Sequence, residues 1–149
     1  MSPRADRTEI EALLHRLAKA HADRDADAIV EPYAPDAVMY DLAPPLGRRG
    51  MNRDGVAAWL EGWDGPIQID ARDVELTVGG EVAFVSALNR MRGRQGGEDR
   101  DIWYRTTMGL RRTNGRWRIV HDHSSVPFYM DGSYRAAVDL EPQESTTQG

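Results

Sequence analysis

The chain has 149 residues, of which 40% are hydrophobic and 29% charged, and a formal net charge of -5; this length fits one domain with a single core. The negative charge argues against a nucleic-acid-binding protein, because such proteins neutralise phosphates with a basic face. With no cysteine, no secretory-type apolar segment after Met1 and no apolar run long enough to cross a bilayer, the sequence predicts a cytoplasmic protein without disulfides or thiolate ligands.

The first part of the chain has the patterns of helices. Thr8-Glu9-Ile10-Glu11 has the form of a capping box, and the apolar residues that follow recur at three- and four-residue spacing. We therefore predict a first helix from Glu9 to Asp23. Asp25 is suited to cap a second, shorter helix, which Pro32 should end because proline has no N–H group.

The next segment predicts one short strand and one more helix. Tyr33-Ala34-Pro35-Asp36 has the composition of a turn, and Ala37 to Asp41 that of a strand. A loop rich in proline and glycine follows. Asn52 or Asp54 is suited to cap a third helix, which Gly65-Pro66 should end.

From Ile67 onward the apolar period changes from helical to two, which predicts an antiparallel meander. Its four strands are expected at Ile67–Val78, Glu81–Arg94, Glu98–Arg112 and Arg116–Phe128, joined by Gly79-Gly80, by the loop around Gly96-Gly97 and by Asn114-Gly115. Strands of this length must bend, and a bent sheet has a concave side that helices can cover. The predicted fold is therefore α+β: N-terminal helices packed on a strongly curved mixed or antiparallel sheet, a cone-shaped half barrel enclosing one pocket. We expect residues 1–131 to form the domain and residues 132–149 to form a mobile C-terminal tail.

Strand alternation predicts which side chains face the pocket. In the third meander strand the even-numbered residues are the more apolar set, and in the last strand the odd-numbered set is placed inward. This choice brings His121, His123, Arg90 and Tyr104 to the concave side, with Asp41 at the end of the first strand. The remaining predicted pocket residues are Leu17, Trp59, Trp63, Ser86, Leu88 and Met108.

Polar groups in an apolar wall require partners, and this makes the inward set the candidate catalytic group. Asp41 is the candidate base, His121 or His123 the candidate acid, and Arg90 the candidate anion stabiliser. The alternatives are a turn-capping carboxylate at Asp41 and a structural pair of histidines. The His-x-His pair also suits a metal with Asp41 as third ligand, but no further ligand motif accompanies it, and we predict no metal. No glycine-rich phosphate loop is present, so no cofactor is predicted either.

The order of elements and the segment from Gly115 to Ser125, which reads Gly-Arg-Trp-Arg-Ile-Val-His-Asp-His-Ser-Ser, resemble the nuclear transport factor 2-like superfamily. Within it the chain is similar to the SnoaL-like and ketosteroid isomerase-like branch, over about Glu9 to Phe128. A similar ending occurs in the association domain of calcium/calmodulin-dependent kinases, which is not an enzyme. The motif therefore implies a fold and a pocket more specifically than a reaction.

Only one of the catalytic residues of ketosteroid isomerases has a counterpart of the same type in this chain. Asp41 matches the aspartate base of ketosteroid isomerases, whereas their oxyanion tyrosine falls at Leu17 and their second aspartate at or beside Met108. Because such donors stabilise the developing enolate, the resemblance does not predict steroid isomerisation by that mechanism. SnoaL-like cyclases also use an acidic base, for an aldol closure, and the resemblance does not fix its position in this chain.

Two functions remain open from the sequence. One is an isomerase, cyclase or dehydratase that moves a proton on a small, mostly apolar carbonyl compound; the other is a non-catalytic module for ligand binding or assembly. The expected partners are a small apolar or carboxylate-bearing molecule and a second copy of the chain, but neither nucleic acid nor membrane. Homodimerisation is expected through the outer sheet face, where Trp103 lies among Arg105, Thr107 and Arg111.

Overall fold

Three helices and six strands make up the fold in a computed structural model that describes residues 2–143. In chain order they are α1 (Pro3–Ala22), α2 (Ala26–Val30), β1 (Tyr33–Tyr40), β2 (Arg48–Arg49), α3 (Arg53–Glu61), β3 (Gln68–Gly79), β4 (Val82–Gln95), β5 (Glu98–Thr113) and β6 (Arg116–Ser125). The four long strands are those predicted from the change of period, and their bounds differ from the prediction by a few residues.

The strands form one curved, unclosed sheet in the order β2-β1-β6-β5-β4-β3. β3 to β6 are antiparallel neighbours, as the glycine-containing turns predict. β1 pairs with β6 in parallel, so the sheet is mixed. The predicted α+β class is confirmed.

The helix caps agree with the sequence except at the first helix. Ser2 caps α1 and Pro3 occupies its first turn, so the helix begins six residues earlier than predicted. Thr8 lies inside α1, where its hydroxyl donates to the carbonyl of Arg4 at 3.0 Å, and the predicted capping box is wrong. Asp25 caps α2 and Asn52 caps α3, as predicted.

The segment predicted to be a turn, Tyr33 to Asp36, belongs to β1 instead. Tyr33 pairs with Ile119 of β6, and the pairing shifts register before it resumes at Val38. Pairing with β6 thus makes this proline-containing segment part of a strand, although its local composition predicts a turn. The two-residue β2, which pairs with Val38 and Met39, was not predicted either, because it lies in the proline- and glycine-rich loop.

One face of the sheet packs against the helices and forms the core, which confirms that the helices cover one side. The core side chains are apolar residues of α1, α2 and α3, of the segment after α3, and of the inner side of β1, β4, β5 and β6: Ile10, Leu13, Leu17, Ile29, Met39, Leu60, Trp63, Val85, Met108, Leu110, Trp117 and Ile119 are among them. Leu76 and Val78 of β3 pack against this cluster as partly buried residues. We call this side of the sheet the inner face and the other side the outer face.

A buried polar network joins the start of α1 to the β5–β6 hairpin. Asp6 is 4% exposed, and its Oδ1 accepts from the Arg112 guanidinium at 2.7 Å and from the Trp117 indole N–H at 3.0 Å. Glu9 accepts from the backbone N–H of Trp117 at 2.9 Å. The network therefore fixes the start of α1 against β5 and β6.

The described part of the predicted tail has no helix or strand, yet it folds back on the preceding chain. The N–H of Ala137 donates to the carbonyl of Pro127 at 2.8 Å, and Ala137 is buried. Residues 144–149 of the predicted mobile tail lie outside the described residues. Among the helices within residues 2–143, none has the length and apolar character that crossing a membrane requires.

Candidate functional site

A β-bulge in β6 decides which residues of that strand face the helices. Ile119 pairs with Leu110 of β5, but His121 pairs with Gly109, so Val120 is an extra residue between them. Trp117 and Ile119 point inward, as predicted. Beyond the bulge the alternation is reversed.

The reversal places His121 and His123 on the outer face, so the face predicted for them is wrong. A Cβ on Gly109 would lie 3.5 Å from the Cβ of His121, on that side of the sheet. Both imidazoles meet the ring of Tyr40 edge-on, with centroids at 5.1 and 5.4 Å. His121 Nδ1 is 2.8 Å from the carbonyl oxygen of Val38. Within residues 2–143, no three metal-ligating side chains converge on a common point.

The face predicted for Arg90, Ser86 and Leu88 is wrong as well. Val85 pairs with the inward Met108, so the odd-numbered residues of β4 face the core and the even-numbered ones face outward. Both sets of β4 contain apolar residues, and alternation alone therefore could not distinguish them. Arg90 makes two parallel bonds to Asp101, at 2.8 and 2.7 Å, and lies 5.6 Å from the ring centroid of Trp103.

The bulge turns Asp122 toward the inner face in place of the histidines. Asp122 is 8% exposed and accepts a hydrogen bond from the Tyr33 hydroxyl at 2.6 Å. The hydroxyl of Thr106, on the adjacent strand, lies 3.4 Å from its other oxygen. Burial raises the pKa of Asp122 above its ordinary value, the Tyr33 hydrogen bond opposes that rise, and the nearby charge of Asp41 adds to it.

Two tyrosines line the inner face beside this carboxyl. Burial raises the pKa of Tyr33 well above its ordinary value, and the nearby Asp122 charge adds to the effect. Burial also raises the pKa of Tyr104 to about 12. Asn89 donates to the oxygen of Tyr104 at 3.5 Å, which leaves the phenolic hydrogen for another acceptor. Tyr104 and Met108 face inward, as predicted.

Asp41, the predicted base, lies at the end of β1 and is bound to an arginine. The Nε and Nη2 atoms of Arg48 both contact Asp41 Oδ2, at 2.8 and 2.6 Å. A cleft of about 610 Å³ opens at the ends of β1 and β6 and is lined by Asp41 and Ser124 together with Tyr40 and His123 of the outer face. Asp41 therefore lies at the rim of this cleft, whereas Asp122 is buried on the inner face and does not line it.

Two of the predicted pocket residues, Trp63 and Leu17, belong to the core. Trp63 is 2% exposed, and Leu17 is buried in the same cluster. Trp59 is partly exposed, and its ring meets Trp63 edge-on at 5.6 Å between centroids and His21 at 6.3 Å. Burial lowers the pKa of His21, whose imidazole lies on α1 and faces Trp59 of α3.

Sequence reasoning missed Asp122, Tyr33, Thr106 and Arg48. One signal was available for Asp122: Ile119 and Val120 are adjacent apolar residues in a strand that otherwise alternates, which is what a bulge produces. For Arg48 no local pattern exists, because its position depends on the pairing of β2 with β1.

Comparison with known sequences identifies the chain's family, because residues 10–129 match the SnoaL-like domain. The chain belongs to the SnoaL-like family. This SnoaL-like chain is similar to a nuclear transport factor 2-like protein of unknown function from Pseudomonas putida KT2440, at 32% identity and a TM-score of 0.84. That likeness covers 95% of this chain and 99% of the other. No curated protein matches the sequence.

Two more distant structures share the fold. A candidate dehydratase of the nuclear transport factor 2-like family from Streptomyces avermitilis is 18% identical, with a TM-score of 0.71 over 83% of this chain and 97% of that one. A candidate ketosteroid isomerase from Shewanella frigidimarina NCIMB 400 is 19% identical, with a TM-score of 0.61 over 76% and 92%. At these identities the likeness shows the fold alone.

Proposed function

We propose that this SnoaL-like protein is an enzyme that moves a proton on a small carbonyl compound, with Asp122 as the general base. The observation that carries the proposal is a buried carboxyl group, held by the Tyr33 and Thr106 hydroxyls, beside a second phenol on the inner face. A base of raised pKa in a desolvated site is suited to abstract a proton from a carbon acid near neutral pH.

In the proposed reaction, ionised Asp122 removes a proton from the carbon next to the carbonyl group. The C–H electron pair forms the enolate, and the Tyr104 hydroxyl donates a hydrogen bond to its developing oxygen charge. From a β,γ-unsaturated carbonyl compound the enolate is conjugated, and protonated Asp122 returns the proton to the γ-carbon, which isomerises the compound. From a β-hydroxy carbonyl compound the enolate expels the β-hydroxyl group, which leaves as water with the proton from Asp122. Tyr33 and Thr106 hold the carboxylate in position throughout.

Asp122 is a better candidate for the base than Asp41. Asp41 is ion-paired with Arg48 at the rim and stays exposed, whereas Asp122 is buried. The relatives named as a dehydratase and a ketosteroid isomerase would carry out proton transfers of this class.

Replacing Tyr104 with phenylalanine tests the proposed oxyanion donor. Loss of one such donor should lower catalysed exchange of α-protons for deuterium by about 10²-fold. The measurement is proton NMR of a panel of small ketones in deuterated buffer. Tyr134→Phe is the matched control, because Tyr134 is 66% exposed in the segment after β6, and it should keep the wild-type rate. Ketones that bind to the wild-type protein without exchanging would favour the binding-module alternative.

We further propose that the protein forms a homodimer through its outer face. Phe84 and Val82 are each 54% exposed on this face, next to the depression left by Gly109. Arg90 and Trp103 extend the same surface. Exposed apolar and aromatic side chains with arginine are typical of subunit interfaces.

A charge placed at the centre of this surface should separate the subunits. Phe84→Asp is expected to give a monomeric mass by light scattering at micromolar concentration, because an unpaired carboxylate would be buried in the interface. Leu46→Asp changes an equally apolar residue, 99% exposed in the β1–β2 loop, and should leave a dimer intact. A wild-type protein that is already monomeric would refute the interface.

A further inference from the structure

The chain after β6 is held by backbone hydrogen bonds and yet exposes large apolar side chains. We call residues 126–143 the C-terminal segment. The N–H of Tyr129 donates to the carbonyl of Arg135 at 2.8 Å, and Phe128 forms an isolated antiparallel bridge with Ala136. Large apolar side chains of the segment are 44–81% exposed, among them Phe128, Met130, Val138 and Leu140. Such a concentration of exposed apolar side chains is typical of a surface that another molecule covers.

The C-terminal segment lies on the outer side of the sheet, at the half near the β4–β5 turn. Arg90 of β4 faces outward and pairs with Trp103 of β5, beyond the point at which β6 ends. The hydrogen bond to Asp101 raises the pKa of Arg90, and the negative charge of Glu141 adds to that rise. Glu141 is therefore close to this outward guanidinium. The segment thus continues from the end of β6 toward β4 across one half of the outer face.

The opposite half of the outer face, near the β5–β6 turn, is both basic and apolar. Val82 of β4 pairs with Arg111 of β5, which in turn pairs with Arg118 of β6. Directly paired residues point to the same side, so these three side chains form a line across the outer face, which we call the basic row. Phe84, the next outward residue of β4, is 54% exposed. The ion pairs found within residues 2–143 include neither arginine of the basic row.

The C-terminal segment and the basic row complement each other in charge. The charged residues of the segment are three acids and one base: Asp131, Asp139, Glu141 and Arg135. An acidic apolar segment and a basic apolar surface favour association with each other. Within one chain they occupy opposite halves of the outer face, since Arg111 and Trp103 are eight residues apart on β5, which is about 27 Å. The basic row of a second copy is the surface of this kind that the segment can reach.

We propose that the C-terminal segment of one copy docks on the basic row of a second copy, which returns the same contact. This inference rests on the homodimer proposed above and specifies which parts of the two outer faces meet. A two-fold axis that lies between the facing sheets and runs across their strands brings opposite halves together and makes the contact twice. An axis along the strands would instead place the two acidic segments against each other, where like charges repel.

Two charge changes test the two sides of the contact separately. Arg111→Glu places a carboxylate opposite the acidic segment, and Met130→Lys places a cation opposite the basic row. Each should raise the dimer dissociation constant by about 10-fold or more, because the two-fold axis repeats the repulsion. Sedimentation velocity over a dilution series measures this constant. Arg16→Glu makes the same charge reversal on the exposed side of α1 and should keep the wild-type value.

Both test residues are exposed in the single chain, so neither change should disturb folding, and circular dichroism checks this. Mixing the two variants then identifies which parts meet. In the mixed dimer the native segment of the Arg111→Glu chain meets the native basic row of the Met130→Lys chain, and the new lysine meets the new glutamate. An equimolar mixture should therefore form dimers at a concentration at which each variant alone is monomeric. A mixture that stays monomeric would overturn the inference. So would a tighter dimer of Met130→Lys, the result expected if the two acidic segments faced each other.

The same measurements separate this inference from the homodimer itself. A wild-type dimer that Phe84→Asp separates, but that neither Arg111→Glu nor Met130→Lys weakens, would retain the outer-face interface and refute docking of the C-terminal segment. Two weakened variants that restore each other on mixing support the docking even if Phe84→Asp remains dimeric. A monomeric wild-type protein would refute both, because the segment would then be covered by a partner other than a second copy.

Discussion

Asp122→Asn should reduce α-proton exchange on the order of 10³-fold while ligand binding remains near the wild-type level, since general acid–base groups contribute about 10²- to 10⁴-fold. The amide oxygen can still accept from the Tyr33 hydroxyl, and the amide N–H can donate to the Thr106 hydroxyl, which lies 3.4 Å from the other position, so the site keeps its shape. Only the proton acceptor is lost. The measurement is the exchange rate of a saturating ketone by NMR.

The same variant should be more stable than the wild type at neutral pH. Burial raises the pKa of Asp122 in the folded protein, whereas the unfolded value is about 3.9. The stabilisation associated with the protonated carboxyl is therefore fully present below the unfolded pKa and lost as pH rises through the folded pKa. An asparagine does not ionise. The free energy of unfolding of the variant should therefore exceed that of the wild type by an amount that grows as pH rises from the unfolded pKa of Asp122 through its folded pKa, and the difference should vanish in acid.

Asp36, an exposed aspartate in β1 of the same sheet, is the control for both measurements. Asp36→Asn changes a carboxyl group that is open to solvent in β1, and it should leave the exchange rate and the free energy of unfolding at neutral pH near the wild-type values. Undiminished exchange in Asp122→Asn would remove Asp122 from the mechanism. A variant that loses stability at neutral pH would contradict the desolvation argument for the raised pKa.

The sequence predicted the layers of this fold well because each layer has a local pattern. The stripe of Leu13 and Leu17 predicts a helix, and the glycines at Gly96-Gly97 and Asn114-Gly115 predict connections between strands. In the structure these two pairs are the two-residue turns of the β4–β5 and β5–β6 hairpins. These turn residues have positive φ angles, which glycine and asparagine adopt most readily, and for that reason the sequence at the turns predicts them. Such features require no knowledge of distant residues.

The positions of the site residues depend on strand pairing and on contacts between residues that are distant in the sequence. One extra residue at Val120 exchanges the faces of His121 and Asp122, and a shift of one residue always inverts a strand in this way. The partners of Asp122 lie 89 and 16 residues away, at Tyr33 and Thr106. A tyrosine expected in a turn thus became the main donor to the buried carboxyl, and no periodicity in the sequence indicates that contact.

The largest loss of stability is expected from Asp6→Ala. This change leaves the Arg112 guanidinium and the Trp117 indole N–H without their shared acceptor. Removing one partner of a buried ion pair costs about 3–5 kcal/mol, and we expect about 3 kcal/mol because the Arg112 side chain is still partly exposed. A small domain has a free energy of unfolding of about 5–15 kcal/mol, so much of it should be lost.

Urea unfolding monitored by tryptophan fluorescence measures this loss as a lower midpoint with an unchanged slope. Asp23→Ala is the matched control, because Asp23 makes a one-to-one pair with Lys19 on the exposed side of the α1 terminus, and water already screens that pair. Asp6→Asn keeps an acceptor for the indole but removes the charge, so it should fall between the other two and remains measurable if Asp6→Ala does not fold. If Asp6→Asn and Asp6→Ala unfold at the same midpoint as Asp23→Ala, the network does not hold α1 on the β5–β6 hairpin.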